Sequence, residues 1–376
     1  MKILNLLNEC TACGGCVSVC PKQCVDLKFD NEGFYYPYID NEKCIKCGKC
    51  ENVCHVLNYK KIDAEKTSYY GFIKNEEIRN KSTSGGAFYA LADSVLKNGG
   101  NVYGAAFDYK DLQLKHISTD EVGIVPLLKS KYIESYMGNT AALIQNDINN
   151  GRQALFCGTP CQAAGIKNTV KDEKGLLTTV DFICHGVPSS VLFKEHLSNI
   201  IKNEELINMD FRPKDKGWNC KAIRLITNKK KTEKPYYLDA FYKGFMTENV
   251  ILRRSCYNCK YRDIHHSDIT IADFWGYKEL NAQLNDSKGL SLIVANNKHG
   301  SVQVEALENF ELNKIDNKYS DYAYKPKDYS IGLRKREKFY CEYKKYGFEK
   351  AAKKTYMKGY FKQTVKYYIK KLLGKV

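Results

Sequence analysis

The feature that most constrains this chain of 376 residues is a cysteine spacing that occurs twice near its N-terminus. Two runs share the pattern C-x2-C-x2-C-x3-C, namely Cys10, Cys13, Cys16 and Cys20, and then Cys44, Cys47, Cys50 and Cys54. No apolar run approaches the length of a membrane-spanning helix, and the N-terminus is too short and too polar for a signal peptide. We therefore expect a cytoplasmic protein, in which closely spaced thiols stay reduced and serve as metal ligands rather than forming disulfides.

The repeated spacing is that of bacterial two-cluster ferredoxins, in which the fourth cysteine of each run ligates the other cluster. Three thiolates on one tight turn each reach a different iron of a cube, and Gly14, Gly15 and Gly48 let the backbone bend around it. Structural zinc sites, the alternative, use pairs of cysteines instead. The sequence predicts two 4Fe-4S clusters, one held by Cys10, Cys13, Cys16 and Cys54, the other by Cys44, Cys47, Cys50 and Cys20.

The rest of this N-terminal segment completes a small α+β domain. Alternating residues on both sides of Asn31, Glu32 and Gly33 predict a β-hairpin between the two cysteine runs. His55 stands where a proline often follows the last cysteine, which affects the local backbone more than ligation. Cys24 is left over and is expected to act as a small buried hydrophobe. We place this domain at residues 1–58 and a polar linker at 59–67.

The chain then changes to an alternation of strands, loops and helices, which is the pattern of an α/β domain. Strands are predicted at "SYYGFI", "NVYGAAF", "QALFC" and "TVDFIC", and a helix begins after "STSGG" and ends before "NGG". The fold class is therefore an α+β ferredoxin-like dicluster domain followed by an α/β domain over 68–315. A basic, mainly helical C-terminal tail occupies 316–376.

Four further cysteines fall in the α/β domain. Cys161 lies just past one predicted strand and Cys184 at the end of another, so parallel neighbours would bring both thiols to the carboxyl edge of the sheet. Cys256 and Cys259 in "RRSCYNCKYR" have C-x2-C spacing and complete a set of four. The set suggests a third 4Fe-4S cluster, with a zinc site or a redox dithiol as alternatives.

Six motifs in order give the chain a resemblance to a known family. The motifs are "STSGG", "KSKYIES", "GTPCQAAG", "CHGVPSS", "RRSCYNCKYR" and "SDITIADFWG". From about Cys10 to Gly276 the sequence resembles the beta-subunit family of coenzyme F-420 hydrogenase and dehydrogenase, and the last two motifs resemble its polysaccharide-biosynthesis members. The resemblance implies FAD and a 4Fe-4S cluster in the α/β domain, so it supports the third cluster and makes this a flavin domain. Cys157 then lies outside the ligand set.

The FAD implied by the resemblance needs a pyrophosphate site and further contacts. Free N–H groups at a helix N-terminus suit an anion, and the candidate residues there are Ser82, Thr83, Ser84, Gly85 and Gly86. Other candidate contacts are Ser130, Lys131, Tyr132 and Asp273, with Trp275 near the ring system. The alternatives are a plain helix cap, a solvated surface turn and a strand end beside a buried tryptophan.

Histidines near the cysteines are the titratable candidates. His185 beside Cys184 is a candidate proton donor for hydride transfer, and hydrogen bonding to a cluster sulfur or the backbone is the alternative. His265 and His266 follow the C-x2-C pair and are interpreted as a surface pair rather than as ligands. Cys220 and Cys341 receive no role.

The formal charge of +16 does not indicate nucleic-acid binding, because the basic residues are scattered and no nucleic-acid-binding motif is present. In the tail, lysines recur every four residues, at Lys354, Lys358, Lys362, Lys366 and Lys370. This predicts one amphipathic basic helix from Ala351 to Val376. Such a helix would pack on the domain, lie peripherally on the inner membrane surface or dock an acidic ferredoxin.

Two functions follow from this composition of domains. The first is an enzyme that takes electrons from soluble ferredoxin or another redox protein and passes them through three clusters to FAD and an unknown organic substrate, for example a glycan precursor. The second is an electron-transfer adaptor that docks to a larger complex. A substrate-sized cavity would favour the first function, and a flat apolar patch beside the flavin would favour the second.

Overall fold

The structure is a computed structural model that describes residues 2–6, 8–62, 65–284, 286–321, 329–359, 363–367, 369 and 373. Its strands are β1 Val25–Phe29, β2 Tyr35–Ile39, β3 Thr67–Ile73, β4 Asn101–Asp108, β5 Gln113–Ser118, β6 Ala154–Gly158, β7 Leu177–Phe182, β8 Leu206–Asp210, β9 Ala222–Thr227, β10 Lys231–Pro235, β11 Ile269–Asp273, β12 Ser291–Ala295 and β13 Phe310–Ile315. These strands form three sheets within the described residues.

The α-helices of the described residues are mostly short. They are α1 Gly15–Ser18, α2 Lys49–Asn52, α3 Glu76–Lys81, α4 Ala87–Lys97, α5 Thr119–Val122, α6 Thr140–Asn149, α7 Pro160–Thr169, α8 Ser190–Ile201, α9 Ala240–Met246, α10 Arg254–Tyr257, α11 Tyr277–Leu280, α12 Lys298–Glu305, α13 Lys318–Asp321, α14 Ser330–Tyr346 and α15 Phe348–Thr355. Single 3-10 turns lie at Lys2–Asn5, Val125–Leu127, Tyr236–Leu238 and Ala282–Leu284.

The eight-stranded sheet forms the centre of the molecule, in the order β13-β3-β12-β11-β7-β6-β4-β5. Its middle strands β4, β6, β7 and β11 pair in parallel, and the outer pairs are antiparallel. The strands predicted from the sequence correspond to β3, β4, β6 and β7, and the predicted helix is α4. Because β6 and β7 are parallel neighbours, the loops after them open at one edge of the sheet.

Local sequence explains the helix that begins at this edge. Pro160 occupies the first turn of α7, where its missing N–H costs nothing. Thr159 and Gln162 form a reciprocal capping box that satisfies two further N–H groups. The residues after β6 therefore turn sharply into α7, which fixes the position of Cys161 in the first turn of the helix.

The N-terminal domain is held rigidly against the α/β domain. β1 and β2 form the predicted hairpin, and its turn uses Gly33 at a φ of +79°. The buried guanidinium of Arg253 donates to the carbonyls of Cys10 and Tyr35, at 2.7 Å each, and to Glu134 at 2.5 Å. Since Arg253 and Glu134 are both buried, this contact fixes the first cysteine loop to the larger domain.

A small antiparallel sheet of β8, β9 and β10 and the C-terminal helices form a second core, which the sequence did not predict. Its largest members are aromatic, and four of them lie on four helices: Phe193, Phe241, Phe339 and Phe348. The helices α8, α9, α14 and α15 thus pack together through these rings.

The tail does not form the single amphipathic helix that was predicted. α15 ends at Thr355, Tyr356 and Met357 are buried, and Gly359 adopts a φ of +76°. Lys354 forms an ion pair with Glu342. The prediction is wrong because apolar side chains after α15 pack back on the second core, where the Tyr356 hydroxyl donates to the Ala240 carbonyl.

The lysine series of the tail is only partly described. Lys358 and Lys366 are exposed, whereas Lys362 and Lys370 lie outside the described residues. In the part of the chain that the structure describes, no helix has both the length and the apolar character needed to cross a bilayer.

Candidate functional site

The first cysteine loop faces the α/β domain. Burial raises the pKa of the Cys13 thiol to about 12, and the neighbouring Cys10 and Cys54 add to that rise. Cys54 likewise adds to the rise at Cys10 and Cys16, after burial. The structure thus brings together the four predicted ligands of the first cluster, as a set of partly buried thiols that bound metal would keep ionised.

The second cysteine loop faces solvent. Cys20, Cys44, Cys47 and Cys50 line one small crevice at the surface, which is the set predicted for the second cluster. Cys47 is exposed. Cys24 is buried as predicted, with its sulfur 3.4 Å from that of Cys20.

Within the described ranges, no three His, Cys, Asp or Glu side chains converge closely enough to hold one metal ion.

The four cysteines of the α/β domain lie together at the carboxyl edge of the sheet. Burial raises the pKa of Cys161, and Cys259, Cys184 and Cys256 raise it further. Burial raises the pKa of Cys256, as do Cys259 and Cys184. The loop after Cys184 and the segment before Cys256 are joined by a bridge between Pro188 and Leu252. These four residues can hold a third cluster.

The first cysteine loop touches the helix that carries Cys161. Gly165 lies one turn beyond Cys161 on the same face of α7. A Cβ placed on Gly165 would be 2.5 Å from the Cβ of Cys13 and 2.7 Å from its sulfur. A glycine is therefore needed at this position. Because it has no side chain, the first cysteine loop can pack against the helical turn that carries Cys161.

A second contact links the same two sites. His55 follows Cys54, and its Nδ1 lies 2.5 Å from the Tyr261 hydroxyl, two residues beyond Cys259. Its Nε2 lies 3.0 Å from the Thr11 hydroxyl. Burial lowers the pKa of His55 to about 3, so the ring is neutral and bridges the two domains by hydrogen bonds.

A cavity of about 440 Å³ adjoins the third cysteine set. Its lining includes these predicted cofactor contacts: Ser82, Thr83, Ser84, Gly86, Ser130, Lys131, Tyr132 and Asp273. It also includes Cys184, His185 and Trp275. Gly85 is not part of the lining, because it packs on the sheet, where an added Cβ would be 2.4 Å from the Gly71 carbonyl oxygen. The volume is within the range of small-molecule sites.

The loop of residues 82–86 is fixed by a lysine that the sequence analysis missed. The Nζ of Lys214 donates to the carbonyls of Ser82 and Ser84, at 3.2 and 2.7 Å. Thr83 accepts from the N–H of Ser130 at 2.8 Å. α4 begins directly after this loop with no side-chain cap from Gly86, and the N–H of Ala87 donates to the Ser291 hydroxyl at 3.5 Å.

Basic side chains surround the cavity. Burial lowers the pKa of Lys131 to about 7, and its Nζ donates to the Leu128 carbonyl at 2.6 Å. Arg212 donates to Asp273 at 2.6 Å. Arg212 and Lys214 were not among the predicted contacts, although "FRPKDK" places them two residues apart. The cavity is thus polar at one end and apolar along β4, β5 and β11, which suits a nucleotide-linked aromatic ring.

His116 is another lining residue that the sequence analysis missed. Its Nε2 lies 3.2 Å from the Cys157 carbonyl, and its ring stacks on Phe156. Burial lowers the pKa of His116 to about 4, so the imidazole is neutral. Burial alternates along β5, with Leu114, His116 and Ser118 buried, but the sequence shows no matching alternation of apolar residues that would have indicated it.

The histidines near the cysteines differ from their predicted roles. His185 lines the cavity, but its Nε2 is held 2.6 Å from Asn249 Oδ1. The interpretation of His265 and His266 as a surface pair is wrong. His265 is buried and its Nδ1 lies 2.8 Å from the buried Asp181 carboxylate, which needs a donor out of water. His266 is half-buried.

Two family models match parts of the chain. Residues 151–318 match the family model that describes the C terminus of the coenzyme F420 hydrogenase/dehydrogenase beta subunit. Residues 9–58 match the 4Fe-4S dicluster domain. The predicted resemblance and the two N-terminal 4Fe-4S clusters are confirmed. The N-terminal domain is thus an iron–sulfur electron-transfer domain, and the α/β domain is similar to the F420 hydrogenase beta subunit.

Among solved structures, the chain is similar to one from the F420-reducing NiFe hydrogenase complex of Methanosarcina barkeri. The two share 18% identity with a TM-score of 0.46, over 78% of this chain and 91% of that chain. No curated protein matches the sequence.

Proposed function

We propose that the protein is a flavin-dependent iron–sulfur oxidoreductase with three 4Fe-4S clusters. Electrons pass from the two N-terminal clusters to a third, held by Cys161, Cys184, Cys256 and Cys259, and from there to FAD and an organic substrate. The observation that carries this proposal is the cavity of about 440 Å³, which is lined by both Cys184 and the loop of residues 82–86.

FAD suits this position chemically. When bound, it would convert the single-electron transfers of clusters into the two-electron change of an organic substrate. Ser82, Thr83 and Ser84 would hold its pyrophosphate at the N-terminus of α4, and Lys214 would keep that loop in place. Ser130, Lys131, Tyr132 and Asp273 would contact the rest of the cofactor.

The cavity supports a flavin site, which the enzyme and the adaptor function share. A glycan precursor remains our proposed substrate class, and it is supported only by the motifs "RRSCYNCKYR" and "SDITIADFWG". Soluble ferredoxin or another redox protein is the proposed donor. Membrane contact through the tail remains a prediction.

The test is to purify the protein anaerobically and to measure iron and flavin per chain. Three clusters would give about 12 iron atoms, together with one FAD. Cys161→Ser should lower iron to about 8, because one cluster loses a ligand. Cys157→Ser is the matched control, since Cys157 lies outside the ligand set but lines the cavity together with Cys184, and it should leave iron unchanged.

Other results would contradict the proposal. Wild-type protein with about 8 iron atoms and no flavin would show that the cysteines of the α/β domain are not a cluster site. Equal iron in wild type and Cys161→Ser would lead to the same conclusion. Full iron content without flavin would contradict the flavin part of the proposal and would leave an iron–sulfur protein with three clusters.

A further inference from the structure

The second cysteine loop carries a distinct surface, which we call the outer loop surface. It consists of Ile45, Lys46, Cys47 and Lys49, with Lys22 at its edge. Ile45 is 58% exposed, which is high for an apolar residue beside a cluster ligand. Lys22 and Lys49 line the same crevice as the four cysteines of the second cluster. Basic and apolar side chains therefore surround the most accessible cluster ligand.

The first cysteine loop shows that this composition is not required by the cluster. Its equivalent of Lys46 is Ala12, and the two residues share a left-handed backbone, at φ 55° and 53°. Its equivalent of Lys49 is Gly15, which is buried against α7. The same loop thus carries small residues where it meets a permanent partner domain and lysines where it meets solvent.

Lysines outnumber acidic residues around the second cysteine loop, where Lys22, Lys43, Lys46 and Lys49 stand beside Asp40, Glu42 and Glu51 in the sequence, with Asp40 paired to Lys43. Glu9 and Glu32 form ion pairs with basic residues of the α/β domain and the C-terminal helices. Lys22, Lys46 and Lys49 form no ion pair with any acidic side chain among the residues that the structure describes. The outward face therefore attracts negatively charged surfaces, and such attraction accelerates encounter.

We propose that the outer loop surface is the docking site of an acidic electron-carrier protein. In each encounter the reduced carrier loses one electron and the cluster of Cys20, Cys44, Cys47 and Cys50 gains it, with no bond or proton exchanged. Lysines steer the carrier, and Ile45 supplies an apolar contact next to Cys47. This inference rests on the proposed function, in which the N-terminal clusters supply the α/β domain.

The test is a stopped-flow measurement of electron transfer from a purified, reduced two-cluster ferredoxin of negative net charge to the complete protein. The wild-type second-order rate should fall steeply as ionic strength rises. Lys46→Glu/Lys49→Glu should lower the low-salt rate by about tenfold or more and flatten the salt dependence. Reduction by photoreduced deazaflavin, a small molecule, should be equal in both proteins.

The matched control is Lys229→Glu/Lys231→Glu on the hairpin of β9 and β10. It changes net charge equally, at exposed lysines of a different sheet. Equal loss of rate in both variants would show a general charge effect and would overturn the proposal. An unchanged rate in Lys46→Glu/Lys49→Glu would overturn it directly. So would loss of binding to phosphatidylglycerol vesicles in that variant with ferredoxin transfer intact, which would assign the surface to membranes.

The two proposals fail in different ways. If iron analysis gives about 8 atoms and no flavin but the ferredoxin rate still depends on Lys46 and Lys49, the docking site stands and the proposed function fails. If iron and flavin are complete but the rate is independent of these lysines, the proposed function stands and the docking site fails.

Discussion

The two cysteine loops have the same spacing and the same backbone but opposite surroundings. Gly14 and Gly48 occupy equivalent positions, with φ of 76° and 74°. A Cβ on Gly14 would be 2.7 Å from the Gly138 carbonyl oxygen, whereas a Cβ on Gly48 would meet nothing within 4 Å. The cluster loop itself therefore requires a glycine with a left-handed backbone. Only the residues packed against the first loop require, in addition, that this position has no side chain.

The largest expected loss of stability comes from removing Arg253, which holds the first cysteine loop against the larger domain. Replacing Arg253 with Met should lower the free energy of unfolding by about 3–5 kcal/mol, because the buried Glu134 and two carbonyls would lose their donor. Anaerobic urea unfolding measures this change. Lys46→Met, on the exposed loop, should stay within about 0.5 kcal/mol. Similar losses in both variants would show that the two loops do not differ in their coupling to the fold.

The second core provides a reference region away from the two N-terminal cysteine loops, although the predicted ligand Cys256 packs against it. His196 lies between Asp239, at 2.9 Å, and Glu349, at 2.6 Å. Burial lowers the pKa of His196, but the two carboxylates outweigh burial and raise it to about 9, above its ordinary value of 6.5. Because the folded pKa is raised, the protonated ring stabilises the fold fully below pH 6.5.

This stabilisation is lost as the pH rises from 6.5 through 9. On the order of 3 kcal/mol of unfolding free energy should disappear across that window. Urea unfolding at a series of pH values measures it, and His196→Gln should remove the slope. An unchanged slope in the variant would show that another group titrates in this window. The pH dependence of stability could then not be assigned to the second core.

The equivalent glycines test the comparison itself. Gly14→Ala and Gly48→Ala impose the same left-handed strain, so their difference isolates the contact with neighbouring residues. We expect Gly14→Ala to cost about 1–3 kcal/mol more, because its methyl group would overlap the Gly138 carbonyl and the Met137 Cβ. Thermal unfolding, followed by the visible absorbance of the clusters, measures the stability of both variants. Equal losses of stability in the two variants would show that the residues around the first loop shift to accommodate the methyl group without an energetic cost.

The sequence predicted the features that are set by local chemistry. Cysteine spacing indicated two clusters, and hydrophobic pattern indicated the hairpin, β3, β4, β6, β7 and α4. The grouping of Cys161 with Cys184 followed from parallel strands, because adjacent carboxyl ends must share an edge. Each of these predictions needed only the residues within an element or one rule of topology.

The features that sequence analysis missed depend on contacts between distant segments. Arg253 is one of two arginines shortly before a cysteine, yet it binds Glu134, over a hundred residues earlier. His265 was placed at the surface because nothing nearby in sequence shows that Asp181 needs a buried donor. The tail is a further example. Its lysine spacing predicted one helix, but Tyr356 and Met357 are buried in the second core.

The smallest expected effect concerns Lys46, whose left-handed backbone is unfavourable for any residue with a Cβ. Lys46→Gly should raise the free energy of unfolding by about 0.4–1 kcal/mol, since the exposed side chain contributes no packing. Ala12→Gly relieves the same strain but removes a buried methyl group that packs near Leu27 and Tyr35, so it should gain less or nothing. Chemical unfolding of both variants measures the difference.

If Lys46→Gly is stabilising and also slows ferredoxin reduction, the strained lysine is retained for docking rather than for folding. A destabilising Lys46→Gly would instead assign that side chain a structural role in the exposed loop.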